Sequence, residues 1–407
     1  MKPKQPGVLS LPVIVGALGL FVDVYDLLLF SIIRKPSLAS LGLSPDEVTH
    51  QGEIIISVQM IGLVIGGIFW GILGDKKGRL NVLFGSILLY SIGNILNGMV
   101  HTVPEYILTR FIAGIGLAGE MGASITLVSE ILPKEKRGIG ASVITGVGVL
   151  GAVMAYAVYN SFHDWRVCYY IGGGMGLLLL VLRVSIFESG MFDELKKSNV
   201  ERGNFLMLFN NKDRFLRYIR GIIIGLPVWY GIGVLISFAD QFGKGMNIPD
   251  VDPGKAVLYQ YFTLCFGDFS AGLLSNYLKS RKKALFIFLG IFSFFTILFF
   301  MQNGGSASTM YLLCAGIGFG SGFSVLYITM SAEQFGTNLR ATTAISIPNM
   351  VRGGLPLILL LFRGMRGLTG SYVTGGWITG IIIMLLAVIA AYYTKETYGK
   401  DLNFIEE

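Results

Sequence analysis

Apolar residues run along this chain in blocks of about 20, separated by short polar, glycine-containing or basic stretches. A block of that length, coiled as a helix, spans the roughly 30 Å hydrocarbon core of a bilayer. Twelve such blocks can be placed, over roughly 8–32, 51–74, 80–100, 104–130, 138–162, 167–187, 217–239, 255–278, 283–301, 309–331, 341–363 and 370–393. The pattern predicts an all-α membrane protein of twelve transmembrane helices.

The polar punctuation repeats. The second block ends in Gly71-Ile72-Leu73-Gly74-Asp75-Lys76-Lys77-Gly78-Arg79, and the fourth ends in Ser129-Glu130-Ile131-Leu132-Pro133-Lys134-Glu135-Lys136-Arg137-Gly138. In the second half, Gly272-Leu273-Leu274-Ser275-Asn276-Tyr277-Leu278-Lys279-Ser280-Arg281 is followed by Ala332-Glu333-Gln334-Phe335-Gly336-Thr337-Asn338-Leu339-Arg340-Ala341. Glu and Arg lie seven positions apart in both copies. A polar signature recurring at corresponding ends of apolar helices is the mark of two fused, related bundles. The expected organisation is therefore two pseudo-symmetric six-helix bundles, 1–187 and 217–407 with its tail, joined by a polar, partly helical linker over 188–216 that carries Lys196, Lys197, Arg202, Lys212 and Arg214.

Composition agrees with a lipid environment: 53% of residues are hydrophobic and 14% charged, where soluble domains carry about a quarter charged. With the N-terminus inside, the cytoplasmic segments hold about 22 of the 32 Lys and Arg against about seven outside, so both termini are expected in the cytoplasm. The net charge of +7 follows from this bias and calls for no nucleic-acid partner. The first block lacks a small-residue cleavage site and contains acidic residues, which favours a retained helix over a removed signal peptide. Cys168, Cys265 and Cys314 have no metal-ligand spacing and read as packing residues. Glycines in small-xxx-small series, such as Gly114, Ala118 and Gly122, read as close-packing positions between helices.

At the ends of the second and fourth blocks, Gly74 and Gly78 permit a tight turn, and Asp75 can accept hydrogen bonds from a neighbouring helix N-terminus. Glu130 and Arg137 can complete an ion-pair cluster with Asp75 and Arg79, a latch for the cytoplasmic side, with Glu333 and Arg340 as its second copy. These motifs, over essentially the whole chain, resemble those of the major facilitator superfamily. The resemblance implies two bundles that rock about a central site, exposing it to alternate sides. Asn276 stands where that pattern has an acid, so the second latch is expected to be the weaker.

Ionisable residues inside the membrane are functional candidates. Asp23 and Asp26, three apart in Phe21-Val22-Asp23-Val24-Tyr25-Asp26-Leu27, share a helix face and can look into a central cavity. Arg110 on the fourth helix lies at a similar depth and is their natural partner, while Glu120 sits nearer that helix's middle. The first-helix pattern resembles that of phosphate:proton symporters, and Gly119-Glu120 that of metabolite:proton symporters. Met121 and Gly122 replace the Tyr-Pro of the phosphate branch. In the second half, Asp268 and Arg352 are the buried-charge candidates, either paired with each other or, for Arg352 with Asn349, gripping a substrate carboxylate. Trp229 and Tyr230 follow Pro227, where a break could accompany gating.

Other chemistry is missing from the sequence. No Gly-Lys-Ser/Thr loop points to ATP. His50, His101 and His163 fall near outer helix ends without metal or triad spacing. The expectation is a transporter, not an enzyme: a proton-coupled symporter of an organic anion or amino acid, without cofactor, monomeric, in a bacterial inner membrane. Asp23, Asp26, Glu120 and Arg110 would couple protons; Tyr25, Trp229, Tyr230, Asp268, Asn349 and Arg352 would meet substrate. An exporter or uniporter of the same fold, and a non-transporting receptor, are the rival readings.

Overall fold

The computed structural model describes residues 7–133, 136–183 and 203–406, apart from the side chains at 45, 46, 49 and 53. Twelve long helices account for most of them. In chain order these are α1 (Leu11–Ser40), α2 (Pro45–Lys77), α3 (Arg79–Met99), α4 (Val103–Ile131), α5 (Arg137–Phe162), α6 (Trp165–Leu182), α7 (Lys212–Ile236), α8 (Pro253–Tyr277), α9 (Arg281–Phe300), α10 (Ala307–Glu333), α11 (Arg340–Thr369) and α12 (Tyr372–Tyr393). Eleven are long and apolar enough by themselves to cross a membrane. The other, α8, spans 25 residues but carries Lys255, Gln260 and Asp268, the last two fully buried among neighbouring helices. An even number of crossings returns the chain to the face where it started, called here the termini face.

Several helices extend beyond the apolar blocks. α1 continues past residue 32 through Arg34 and Lys35, and α2 starts at Pro45 rather than 51. Hydropathy marks the part of a helix that sits in hydrocarbon, whereas backbone hydrogen bonding carries on into the polar interface. Caps set the true starts: the Thr102 hydroxyl and the Glu105 carboxylate form a reciprocal box at α4, and Asn211 accepts from the amides of Asp213 and Arg214, so α7 begins five residues before 217. Of the expected linker, residues 188–202 lie outside the described residues, as do Lys134 and Glu135 of the fourth-helix motif; Met207–Asn210 forms one helical turn. Gly78 turns the chain between α2 and α3 at φ 103°, a conformation that suits only glycine.

The duplication is visible in irregularities as well as in motifs. α4 is interrupted between Leu117 and Glu120, and α10 between Gly320 and Phe323. Pro227 does not break α7, which continues to Tyr230 and then loosens into a π-helical turn, Gly231–Ile236. The halves meet chiefly where α2 packs on α11 and α5 on α8. Small residues make that approach possible: a Cβ on Gly71 would press on the Thr342 backbone, and one on Gly122 would strike the backbone of Ala344 and Ile345. All three cysteines are buried free thiols.

Candidate functional site

Two cavities lie between the halves. The larger, about 560 Å³, is bounded by the ends of α1 and α11 remote from the termini face and by the start of α2, with Arg34, His50 and Arg363 among its polar lining. The smaller, about 60 Å³, lies deeper and contains Asp268, Ser324, Tyr261, Tyr327 and Arg352. Leu27, Trp229 and Ile232 wall both. The π turn of α7 thus places its residues at the step between vestibule and inner pocket, and such turns are frequent at functional sites.

The α1 carboxylates take separate partners. Asp26 accepts from Arg110 Nη1 at 2.8 Å, and Arg110 Nη2 also donates to the Asp26 carbonyl at 3.2 Å, a pair sealed within the first half beneath the Tyr169 ring. Asp23 instead faces Arg352 of α11 across the two halves, Oδ2 to Nη2 at 3.7 Å. Neither Asp23 oxygen has a hydrogen-bond partner among the described residues. The pair is Coulombic and undirected, and of the two it is the one whose partners belong to different halves.

Arg352 therefore does not pair with Asp268, as one sequence reading allowed. Asp268 Oδ1 accepts from Ser324 at 2.8 Å, and its Oδ2 has no partner among the described residues. Asn349 Oδ1 lies 3.5 Å from Arg352 Nη1, while its amide nitrogen donates to the Ala118 and Ile345 carbonyls, both at 2.7 Å, tying α11 to the interruption of α4.

Three further expected site residues lie outside both cavities. Glu120 does not face either cavity: Arg183, at the end of α6, grips both its oxygens and also donates to the Leu83 carbonyl at 2.8 Å. A side chain at Gly19 would collide with this pair, so α1 covers it. Tyr25 points away from the cavities and donates to the Cys168 carbonyl at 2.8 Å, and Tyr230 donates to the Gly376 carbonyl at 2.7 Å on α12. Both hydroxyls are consumed by helix packing. Arg183 was missed because it ends an apolar run, where basic residues are ordinarily topological; the acid on α4 was the signal that it had buried work to do.

On the termini face the halves are closed on each other. Asp75 accepts from the amides of Ala341 and Thr342, at 3.0 and 2.8 Å, where α11 begins. Arg79 contacts Asp75 at 3.6 Å and Glu130 at 2.8 Å. Arg340 reaches the same Glu130 oxygen at 3.1 Å. The cluster is thus shared between halves, not contained in the first, and Arg137 donates to the Lys400 carbonyl at 3.3 Å. In the second copy Glu333 pairs with Arg281 at 3.1 Å and accepts from Thr397 at 2.7 Å, while Asn276 accepts from Arg281 at 3.3 Å. The segment after α12 lies over this seam. Leu402 is buried, Thr337 donates to the Phe404 carbonyl at 2.8 Å, and Glu406 takes a two-pronged bond from Arg217 at 2.8 and 3.0 Å.

Twelve long helices in two repeated halves, eleven of them apolar enough to cross a membrane by themselves, with buried charges at their centre and a cavity open on one side, describe a multi-pass membrane transporter. The Major Facilitator Superfamily sequence model matches residues 16–359. Relatives along nearly the full length include a putative metabolite transport protein of Haemophilus influenzae, 27% identical over 95% of this chain and 96% of that one, and the niacin transporter NiaP of Acinetobacter baylyi, 26% identical over 96% and 95%. The cis,cis-muconate transport protein of the same organism is 24% identical over 93% and 92%. Among solved structures, the proton:xylose symporter XylE bound to 6-bromo-6-deoxy-D-glucose aligns over 97% of both chains with a TM-score of 0.76 at 18% identity. FucP in its outward conformation aligns over 95% of this chain and 99% of that one with a TM-score of 0.75 at 14% identity. The chain belongs to the major facilitator superfamily, whose members are transporters rather than enzymes.

Proposed function

We propose that this protein is a proton-coupled symporter of a small carboxylate, working by alternating access as a monomer in a bacterial inner membrane, with the termini face in the cytoplasm. The observation that carries this reading is the Asp23 to Arg352 pair, which joins the halves at 3.7 Å beside the inner cavity. A proton on Asp23 removes the negative partner and leaves the Arg352 guanidinium to a substrate carboxylate, whose planar oxygens suit its fork. Protonated Asp23, Arg352 and the substrate carboxylate then sum to no net charge, and the closed seam on the termini face can part while the vestibule closes. Relatives named for niacin, cis,cis-muconate, benzoate and gentisate support the choice, because all four are carboxylic acids. The bundles are proposed as 1–187 and 217–407.

The test is uptake of radiolabelled benzoate and nicotinate into proteoliposomes with an imposed pH gradient, inside alkaline. Accumulation above equilibrium, accompanied by proton entry, is expected. Equilibration without accumulation would identify a uniporter. Binding without any transport would identify a receptor.

A further inference from the structure

The inner cavity is lined by two side chains of opposite charge. Arg352 is one; Asp268 of α8 is the other, fully buried, with Oδ1 held by Ser324 at 2.8 Å and Oδ2 without a partner among the described residues. Both line the same small space, together with Trp229, Tyr261 and Tyr327. They are not bonded to each other, since Arg352 is turned to Asp23 across the halves. A buried carboxylate oxygen with an unused lone pair is costly, and the cost falls when a ligand donor reaches it. At about 60 Å³ the cavity as it stands has room for only a few waters. A compact polar group fits there, while the aromatic walls suit a flat apolar body extending past Trp229 toward the vestibule.

We infer that the substrate is a compact ring-bearing monocarboxylate with a hydrogen-bond donor away from its carboxylate, the carboxylate meeting Arg352 and the donor meeting Asp268. This rests on the carboxylate reading above and sharpens it. Arg352 supplies attraction for any small acid. Asp268 supplies discrimination, because an acid lacking the donor leaves the Oδ2 oxygen dry and unpaired, whereas the right acid satisfies it.

Four benzoates separate the possibilities: benzoate, 3-hydroxybenzoate, 4-hydroxybenzoate and, as a size control without a donor, 4-methoxybenzoate. Affinities are read on the purified full-length protein by tryptophan fluorescence and calorimetry. At least one hydroxybenzoate is expected to bind about tenfold or more tightly than benzoate and 4-methoxybenzoate, a ratio in keeping with one buried hydrogen bond. Asp268→Ala should bring that ratio close to one, with the hydroxybenzoate losing more affinity than benzoate or 4-methoxybenzoate, and Asp268→Asn, which keeps an acceptor, should retain part of the preference. The wild-type ratio stands even if Asp268→Ala does not fold. Equal affinities for all four acids, or an equal loss for all four in Asp268→Ala, overturns the donor-reading site alone. Binding of none of them by the wild-type protein overturns the carboxylate reading and this one with it.

Discussion

Glu130 holds Arg79 of its own half at 2.8 Å and Arg340 of the other half at 3.1 Å through the same carboxylate oxygen. All three side chains are buried. Closure of the termini face thus depends on one acid serving two halves, with Asp75 anchoring the start of α11 beside it.

Removing that acid should open the seam. Taking one partner from a buried ion pair costs about 3–5 kcal/mol, here charged against the closed state alone. Glu130→Gln and Asp75→Asn should raise by at least about tenfold the labelling rate of a cysteine placed at Ile345 by reagent added on the termini face. Asn276→Ala should change it little. Similar rates in all three variants would show that the seam is not carried by Glu130 and Asp75.

Asp23 and Asp26 should separate coupling from stability. Asp26→Asn strands Arg110 inside the first half and should lower the melting temperature sharply, with partial recovery in the Asp26→Asn, Arg110→Met double variant. Asp23→Asn should fold normally and still exchange labelled substrate across the membrane, yet fail to concentrate it under a pH gradient. Full accumulation by Asp23→Asn would remove it from the coupling step.

Glu120 gives the opposite expectation. With both oxygens held by Arg183 and α1 lying over the pair, Glu120→Gln should destabilise the protein while leaving the pH dependence of transport unchanged in whatever fraction folds. Gly19→Ala should reproduce the loss of stability, because its methyl group would enter the same space. A shifted pH profile in Glu120→Gln would return Glu120 to the proton pathway.

Arg352→Lys keeps the charge and loses the planar fork, so affinity for benzoate should fall about tenfold or more with folding preserved. Unchanged binding in Arg352→Lys and Arg352→Gln would make the residue structural and leave an anionic substrate without its main contact.

The twelve crossings were legible because lipid enforces long apolar runs, and the duplication because its polar signature recurs at matching helix ends. Asp26 and Arg110 were legible as partners from depth alone, both sitting on neighbouring helices of one bundle. Depth failed for Arg352, which lies near Asp268 and Asp23 alike; the choice depends on how two bundles are rotated against each other, and no local spacing encodes that. The partners of Tyr25 and Tyr230 were not legible for a related reason. Their helices each present one face to the cavity and another to a neighbour, and a carbonyl exposed by close glycine packing, as at Gly376, is not visible as an acceptor in the sequence. The segment after α12 reads as an ordinary charged tail, and its role as a cover over the seam emerges only from the partners it finds there.

That cover bears on how the protein can be handled. Glu406 is bonded to Arg217, Gly336 and Asn338, so whatever follows it in a fusion starts inside a contact that must come apart when the termini face opens. A reporter or purification handle joined there would be a lever on the very equilibrium it is meant to observe, whereas the loop at Gly304 and Gly305, between α9 and α10, lies at the opposite ends of its helices from that contact.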